Sequence, residues 1–141
     1  MKTFLLEIIT PEKIAFSQRV KMVTVPGSEG QLGILPEHLP LLTALSEGEV
    51  KVTGETEEFY LAIGGGFIEV TRDKVIILVT SAYHAEEINE QEVLEAKKRA
   101  EEALKTGVED RNFLEAQAAF RRSTIALKVL RRKRSARPIS Q

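Results

Sequence analysis

The sequence predicts an N-terminal antiparallel β-sandwich followed by a C-terminal antiparallel hairpin of two helices. Up to about Tyr83, short apolar runs alternate with turns rich in Gly, Pro and Ser, which is typical of a small all-β domain. After His84 the composition changes to Ala, Glu and Lys with apolar residues at three- and four-residue steps, which is typical of amphipathic helices. We therefore divide the chain into a β domain over residues 1–84 and a helical domain over residues 85–141.

Eight strands are predicted from short segments rich in β-branched and aromatic residues. The alternation of polar and apolar residues over 49–52 and 67–70 predicts strands with one buried face. Residues 75–79 are apolar throughout, which predicts a central strand covered on both faces, and Arg72 and Asp73 supply the turn before it. The predicted strands are 3–9, 20–25, 31–34, 41–45, 49–52, 58–63, 66–70 and 75–81.

Two helices follow the predicted β domain. Asn89 is a good N-cap with Glu92 three residues later, so the first helix spans about 89–105. Gly107 is a natural helix stop, and the second helix begins near Glu109 or Asp110 and ends at about residue 132. Because so short a pair buries little apolar surface by itself, we expect it to dock conditionally and to detach. The inward stripes are Val93, Ala96, Ala100 and Ala103 or Leu104 on the first helix, and Phe113, Ala116, Phe120, Thr124 or Ile125, Leu127 and Leu130 on the second.

The sequence has no pattern typical of a disulfide framework, a metal site, a catalytic site or a phosphate-binding loop. The absence of Cys excludes disulfides and Cys-based zinc sites, and His38 and His84 lack metal-ligand spacing. No catalytic constellation and no phosphate-binding loop is present, so we predict no catalytic residues, no metal, no cofactor and no enzyme activity. The glycine run at 64–66 instead predicts close backbone approach between strands. No apolar run is long enough for a membrane helix, and the N-terminus does not resemble a secretory signal.

The charge is strongly polarised along the chain. Residues 121–141 carry eight Lys and Arg residues and no Asp or Glu, whereas the rest of the chain is net acidic. Such a basic helical tail predicts an acidic partner, and a small β-domain module that binds nucleic acid or another acidic surface is one interpretation. The lack of aromatic residues within the tail weighs against nucleic acid. The basic residues are Arg121, Arg122, Lys128, Arg131, Arg132, Lys133, Arg134 and Arg137.

The most informative segment is VTVPGSEGQLGILPEHLPLL at residues 23–42. Its glycines and prolines at short fixed intervals predict a strand, a tight turn and a rigid exposed loop. Together with LAIGGGFIEV at 61–70 and VIILVTSA at 75–82, followed by the helical tail, the chain resembles the epsilon subunits of bacterial and chloroplast F-type ATP synthases. The resemblance extends over nearly the whole length of the chain.

This resemblance implies a non-catalytic subunit of the central stalk, the rotor. Such a subunit joins the shaft (gamma) subunit to the membrane ring of c subunits and couples ion transport to ATP synthesis. It reaches the membrane only through these partners, as a peripheral protein on the cytoplasmic face of a bacterial membrane or the stromal face of a thylakoid-type membrane. Gln31 stands where an acidic residue is common in the family, and Glu37 where glycine is common. The implied contact residues of the turn and loop are Ser28, Glu29, Gln31 and His38.

The resemblance also implies a restraint on ATP hydrolysis by the C-terminal helices. In the family, the second helix can extend along the shaft, and its basic residues then meet an acidic segment of the catalytic beta subunits. Here those residues are Arg121, Arg122, Lys128, Arg131, Arg132, Lys133 and Arg134.

Some family members bind ATP through a motif at the start of the first helix. Asn89 and Glu92 replace the Asp and Arg of that motif, and a carboxylate beside a triphosphate repels it. Only Ile88, Arg99 and Arg122 remain as vestigial positions. We therefore expect weak or absent ATP binding by the isolated chain.

Overall fold

The computed structural model describes residues 2–106 and 111–135. Within these residues the β domain has ten strands, and the strands predicted from the sequence are present with shifts of a few residues at their ends. The strands are β1 (Phe4–Ile9), β2 (Ile14–Val20), β3 (Met22–Gly27), β4 (Gly30–Ile34), β5 (Leu41–Leu45), β6 (Gly48–Thr53), β7 (Glu58–Ile63), β8 (Gly66–Val70), β9 (Lys74–Val79) and β10 (Ala82–His84).

The strands form one continuous sheet that wraps around a single apolar core. Its order is β10-β7-β6-β3-β5-β8-β9-β1-β2, with β4 added to β3, and the core receives side chains from all parts of this path. Every pairing is antiparallel except that between β1 and β9, which is parallel. The prediction of a β-sandwich followed by helices is therefore confirmed, and the parallel pair is a departure from its antiparallel character.

Two strands of the structure, β2 and β10, are not among those predicted from the sequence. In β2 only Phe16 and Val20 are buried, because this strand lies at the edge of the sheet and most of its side chains face solvent. Strand β10 has three residues and pairs with the end of β7, so it is too short to produce a periodic pattern. Strand β2 pairs with the preceding β1 in a hairpin, so its exposure and not its pairing hides it from the pattern, whereas β10 depends on pairing with the more distant β7.

The burial of strand β9 differs from the prediction. Val75, Ile77 and Val79 are buried, but Leu78 on the opposite face is 51% exposed. The strand is therefore central in the pairing order, between β8 and β1, while only one of its faces lies in the core. Its apolar outer side chains belong to an exposed surface instead.

The helical domain begins with a short 3-10 turn at Ala85–Glu87 and continues as α1 (Glu90–Leu104) and α2 (Arg111–Ser135). Asn89 caps α1, because its side-chain oxygen accepts a hydrogen bond from the Glu92 N–H at 3.1 Å. Helices α1 and α2 pack on each other, and α2 also contacts β6, β7 and the 3-10 turn. The predicted helix stop at Gly107, the predicted helix start at 109 or 110, and Arg137 lie outside the described residues.

The two helices use the predicted stripes with one apolar addition. Ala100, Ala116, Leu127 and Leu130 are buried, while Thr124 is exposed, so Ile125 is the inward residue of that pair. The sequence prediction missed Val129, which is fully buried against Tyr60 and Ala85 of the β domain and the 3-10 turn. Helix α2 thus has one face toward α1 and a second toward the sheet.

Candidate partner-binding surfaces

The turn that the sequence singled out is a β-hairpin tip. Ser28 and Glu29 connect β3 to β4, and Gly30 has a φ of 134° that only glycine adopts without strain. The Ser28 N–H donates a hydrogen bond to the carbonyl of Ala44 at 3.1 Å, which ties the tip to β5. Ser28, Glu29 and Gln31 are all exposed, so their side chains are available to a partner.

The following loop makes a second tight turn. The His38 N–H donates to the Leu35 carbonyl at 3.2 Å across Pro36 and Glu37, and Glu37 has a φ of 66°. Proline followed by a positive φ is the geometry of a type II turn, in which glycine is preferred at the third position. Beside this turn Leu35 and Leu39 are 56% and 79% exposed. The loop therefore presents apolar side chains in a defined conformation.

The left-handed conformation of Glu37 leads to a testable difference between two substitutions. Both Glu37→Gly and Glu37→Ala remove the exposed ion pair that Glu37 forms with Lys2, but only glycine tolerates the positive φ. We expect the glycine variant to melt roughly 3–4 °C above the alanine variant, which corresponds to about 1 kcal/mol in a chain of 141 residues. Thermal unfolding followed by circular dichroism measures this, and equal melting temperatures would contradict strain at this position.

A row of apolar side chains crosses the outer face of the sheet. Residues that pair directly share a face, and the register aligns one residue from each of five strands. Ile14, Phe67 and Leu78 of this row are each more than half exposed. A contiguous exposed apolar surface on a small domain indicates a contact with another protein. We name this surface the apolar row; it consists of Ile14, Ile9, Leu78, Phe67 and Ala44, in order from β2 to β5.

The seven basic residues of α2 between 121 and 134 divide into two groups. Arg122, Lys128 and Arg131 are exposed, and no ion pair to an acidic side chain of the described residues is found for them within 4.0 Å. The other four pair with acidic residues of the β domain, the 3-10 turn and α1. These docking ion pairs are Arg121–Glu47 (2.9 Å), Arg132–Glu49 (3.2 Å), Lys133–Glu86 (3.1 Å) and Arg134–Glu90.

Two of the carboxylates in these pairs have altered acidity. A backbone hydrogen bond and then Lys133 lower the pKa of Glu86 from its ordinary value of 4.5. The hydrogen bond from Arg134 lowers the pKa of Glu90 in the same direction. Because the pKa values of Glu86 and Glu90 are lower in the folded chain, these two ion pairs stabilise the folded chain fully above about pH 4.5. This stabilisation is lost as the pH falls through the lowered pKa values.

A cavity of about 350 Å³ lies between β7, α1 and α2. It includes two of the vestigial ATP-site positions, Ile88 and Arg122, while Arg99 is exposed on α1 and does not line it. Its lining also contains Glu47, Glu87 and Glu92, of which Glu47 is paired with Arg121 and Glu87 with Lys13. The expectation of weak ATP binding rests on Asn89 and Glu92 in the sequence and stays a prediction.

Both histidines have roles in the backbone structure. His84 Nε2 lies 2.7 Å from the Ala15 carbonyl, and His38 Nδ1 lies 2.7 Å from the Leu39 carbonyl. Because a carbonyl only accepts, each of these ring nitrogens carries the proton and donates. Across residues 2–106 and 111–135, no group of three potential metal ligands is found. Neither helix, over its described length, has the combination of length and hydropathy needed to span a bilayer.

The structure thus places the predicted contact residues on two separate surfaces. The hairpin tip and the loop that contains His38 lie in the β domain, whereas the basic residues from Arg121 to Arg134 lie along α2. Two features are not among the sequence predictions, namely the apolar row and the acidic partners of the basic residues. The strand pattern could have shown the row, since residues 75–79 place Ile76 and Leu78 opposite the core.

Comparison with known proteins identifies the family. Residues 3–85 match the beta-sandwich domain of the ATP synthase delta/epsilon chain, and residues 86–131 match its long alpha-helix domain. The chain is 45% identical to the ATP synthase epsilon chain of Dehalococcoides mccartyi over 92% of its own length and 93% of that chain. It is 38% identical to the epsilon chain of Halorhodospira halophila over 97% of its length and all of that chain.

Solved structures agree on the fold. A chain in the structure of the Euglena gracilis mitochondrial ATP synthase, with OSCP, F1 and c-ring, superposes with a TM-score of 0.69 at 22% identity, covering 94% of this chain and 80% of that one. A chain of the central stalk and c-ring of the Tetrahymena thermophila mitochondrial ATP synthase gives 0.57 at 18% identity, covering 94% and 96%. From the family match over both domains and the identity to its members, we conclude that the chain belongs to the family of ATP synthase epsilon chains.

Proposed function

We propose that this chain is the epsilon subunit in the central stalk of an F-type ATP synthase, where it joins the shaft subunit to the membrane ring. The observation that carries this role is the exposed apolar row on a domain of the matching family. A stalk subunit has to hold two partners at once, and the domain has a second exposed surface at the hairpin tip and the loop with Leu35 and Leu39. The chain itself performs no catalysis in this role.

The two surfaces suit two different partners. The apolar row, centred on Phe67 and Leu78, lies on directly paired strands, which suits a stable contact with the shaft. The loop and hairpin tip combine exposed Leu35 and Leu39 with Glu29, Gln31 and His38, which suits a contact with the polar loops of the ring. Because one sheet connects both surfaces, a torque applied at the ring passes through hydrogen-bonded strands to the shaft.

The helical domain supplies the regulatory part of the proposal. Once helix α2 extends, its basic side chains can pair with an acidic segment of the catalytic beta subunits. ATP hydrolysis is then restrained because the extended helix obstructs rotation. Membrane association is peripheral and passes through the ring, on the cytoplasmic or stromal face.

The alternative of a nucleic-acid-binding module receives no support from these observations. Arg121, Arg132, Lys133 and Arg134 already pair with carboxylates of the same chain, which reduces the positive surface that phosphates require. The family match also includes the helical segment that carries these residues.

The apolar row provides the test of the stalk assignment. We expect Phe67→Glu to weaken association with the synthase depleted of this subunit at least tenfold, because a carboxylate would be buried against an apolar partner. Leu94→Glu is the matched control, since Leu94 is 48% exposed on α1, away from the row. Association is measured by co-purification in mild detergent, after both variants are shown to melt like the parent. Equal recovery of both variants with shaft and ring would contradict the assigned surface, and failure of the parent to associate would contradict the function.

A further inference from the structure

Helix α2 contacts the rest of the chain through four ion pairs as well as through apolar packing against α1 and the sheet. Of the seven basic residues between 121 and 134, the four in the docking ion pairs contact carboxylates from three different elements. The apolar contact between α2 and the β domain centres on Val129, which is buried with Tyr60 and Ala85 and packs with the partly buried Ala62 and Ile88. Docking of α2 therefore depends on the same side chains that the proposed brake requires.

Glu49 has the most buried side chain of the four acidic residues in the docking ion pairs. Its side chain is only 7% exposed, whereas the side chain of its partner Arg132 is 49% exposed. One carboxylate oxygen of Glu49 lies 3.2 Å from Arg132, and the other has no hydrogen-bond partner among the described residues. Burying a carboxylate costs free energy unless the carboxylate is paired. The ion pair with Arg132 therefore offsets the cost of burying Glu49 while α2 is docked. Departure of α2 would return the carboxylate to water.

From this arrangement we propose that Glu47, Glu49, Glu86 and Glu90 form an internal acidic surface that competes with an external acidic protein for the basic residues of α2. This inference rests on the proposed braking function and specifies its regulation. The docked and braking positions exclude each other, because one guanidinium cannot fill both sets of pairs. The strength of the docking ion pairs then sets how often α2 is free to engage, and it falls as ionic strength rises.

The docked population can be measured directly in the full-length chain. The sequence contains no Cys, so Thr56→Cys in the β domain and Thr124→Cys on α2 give two unique positions for spin labels. We expect Arg132→Ala to raise the ratio of undocked to docked molecules at least tenfold in pulsed distance measurements, because Glu49 is left buried without its partner. Adding Glu49→Gln to Arg132→Ala should reverse part of that shift, since the uncompensated charge is gone.

Arg111→Ala is the matched control. Arg111 is a basic residue of the same helix, but its ion pair is with Glu115 one turn later within α2. We expect this variant to keep the distance distribution of the parent. An Arg132→Ala distribution equal to that of Arg111→Ala, or a double variant no better docked than Arg132→Ala, would overturn the proposal.

A second variant separates this inference from the braking function. Glu86→Gln with Glu90→Gln weakens docking but leaves every basic residue of α2 in place. We expect it to shift the distance distribution toward the undocked state and to lower ATP hydrolysis by the assembled synthase. An unchanged distribution would overturn the internal acidic surface. A shifted distribution with unchanged hydrolysis would support that surface and contradict only the brake.

Discussion

Removal of residues 121–141 is expected to raise ATP hydrolysis by the assembled synthase roughly three- to tenfold while ATP synthesis is retained. A factor of that size corresponds to a bias of about 0.7–1.4 kcal/mol between braked and free states, which a few charge contacts can supply. The deletion removes every basic residue of α2 except Arg111, which lies at the start of the helix. Hydrolysis is measured on purified synthase, and synthesis on the same preparation in energised vesicles.

The β domain is expected to survive this deletion. Its main core is a cluster drawn from the strands alone, while α2 contributes Val129 to a separate small cluster. The matched control removes only residues 136–141 and leaves the described length of α2 unchanged. We expect this control to hydrolyse ATP at the parent rate. If the deletion of 121–141 assembles fully and hydrolysis does not rise, the brake assignment is wrong.

Most of the fold could be predicted because its elements have strong local signals. Val50 and Val52 alternate with Glu49 and Lys51, and the structure buries the valines. Asn89 caps α1 as its position before an apolar periodic segment indicated. Such features depend on neighbours in the sequence, so a single chain reveals them.

The remaining features depend on residues far apart in the sequence. The parallel pairing of β1 with β9 brings Leu6 next to Val75, and no local pattern encodes that choice. The same holds for the docking ion pairs, since Arg121 and Glu47 are separated by 74 positions. The sequence thus predicts that the basic residues of α2 bind acidic partners. The partners within the chain are identified only by the packing of α2 in the structure.

Gly66 is the position where we expect the largest loss of stability from a single methyl group. A Cβ at this position would lie 1.9 Å from the Leu78 carbonyl oxygen and 2.8 Å from the Val79 Cα. Both atoms belong to the backbone of the paired strand β9, so no side-chain rotation relieves the clash and the strands have to separate. We expect Gly66→Ala to reduce the free energy of unfolding by roughly 3 kcal/mol. Urea denaturation of the full chain measures it.

The neighbouring glycines supply a graded control within the same turn. A Cβ on Gly65 would meet only the Leu45 carbonyl oxygen at 3.5 Å, an ordinary contact, so Gly65→Ala should change stability by less than about 0.5 kcal/mol. A Cβ on Gly64 would lie 2.2 Å from the Thr80 hydroxyl oxygen, which can rotate, so Gly64→Ala should fall between them. Because Phe67 and Leu78 adjoin the clash, the Gly66 variant should also bind the synthase less well than its loss of stability alone explains. Equal stability of all three variants would show that β8 and β9 do not need their close approach.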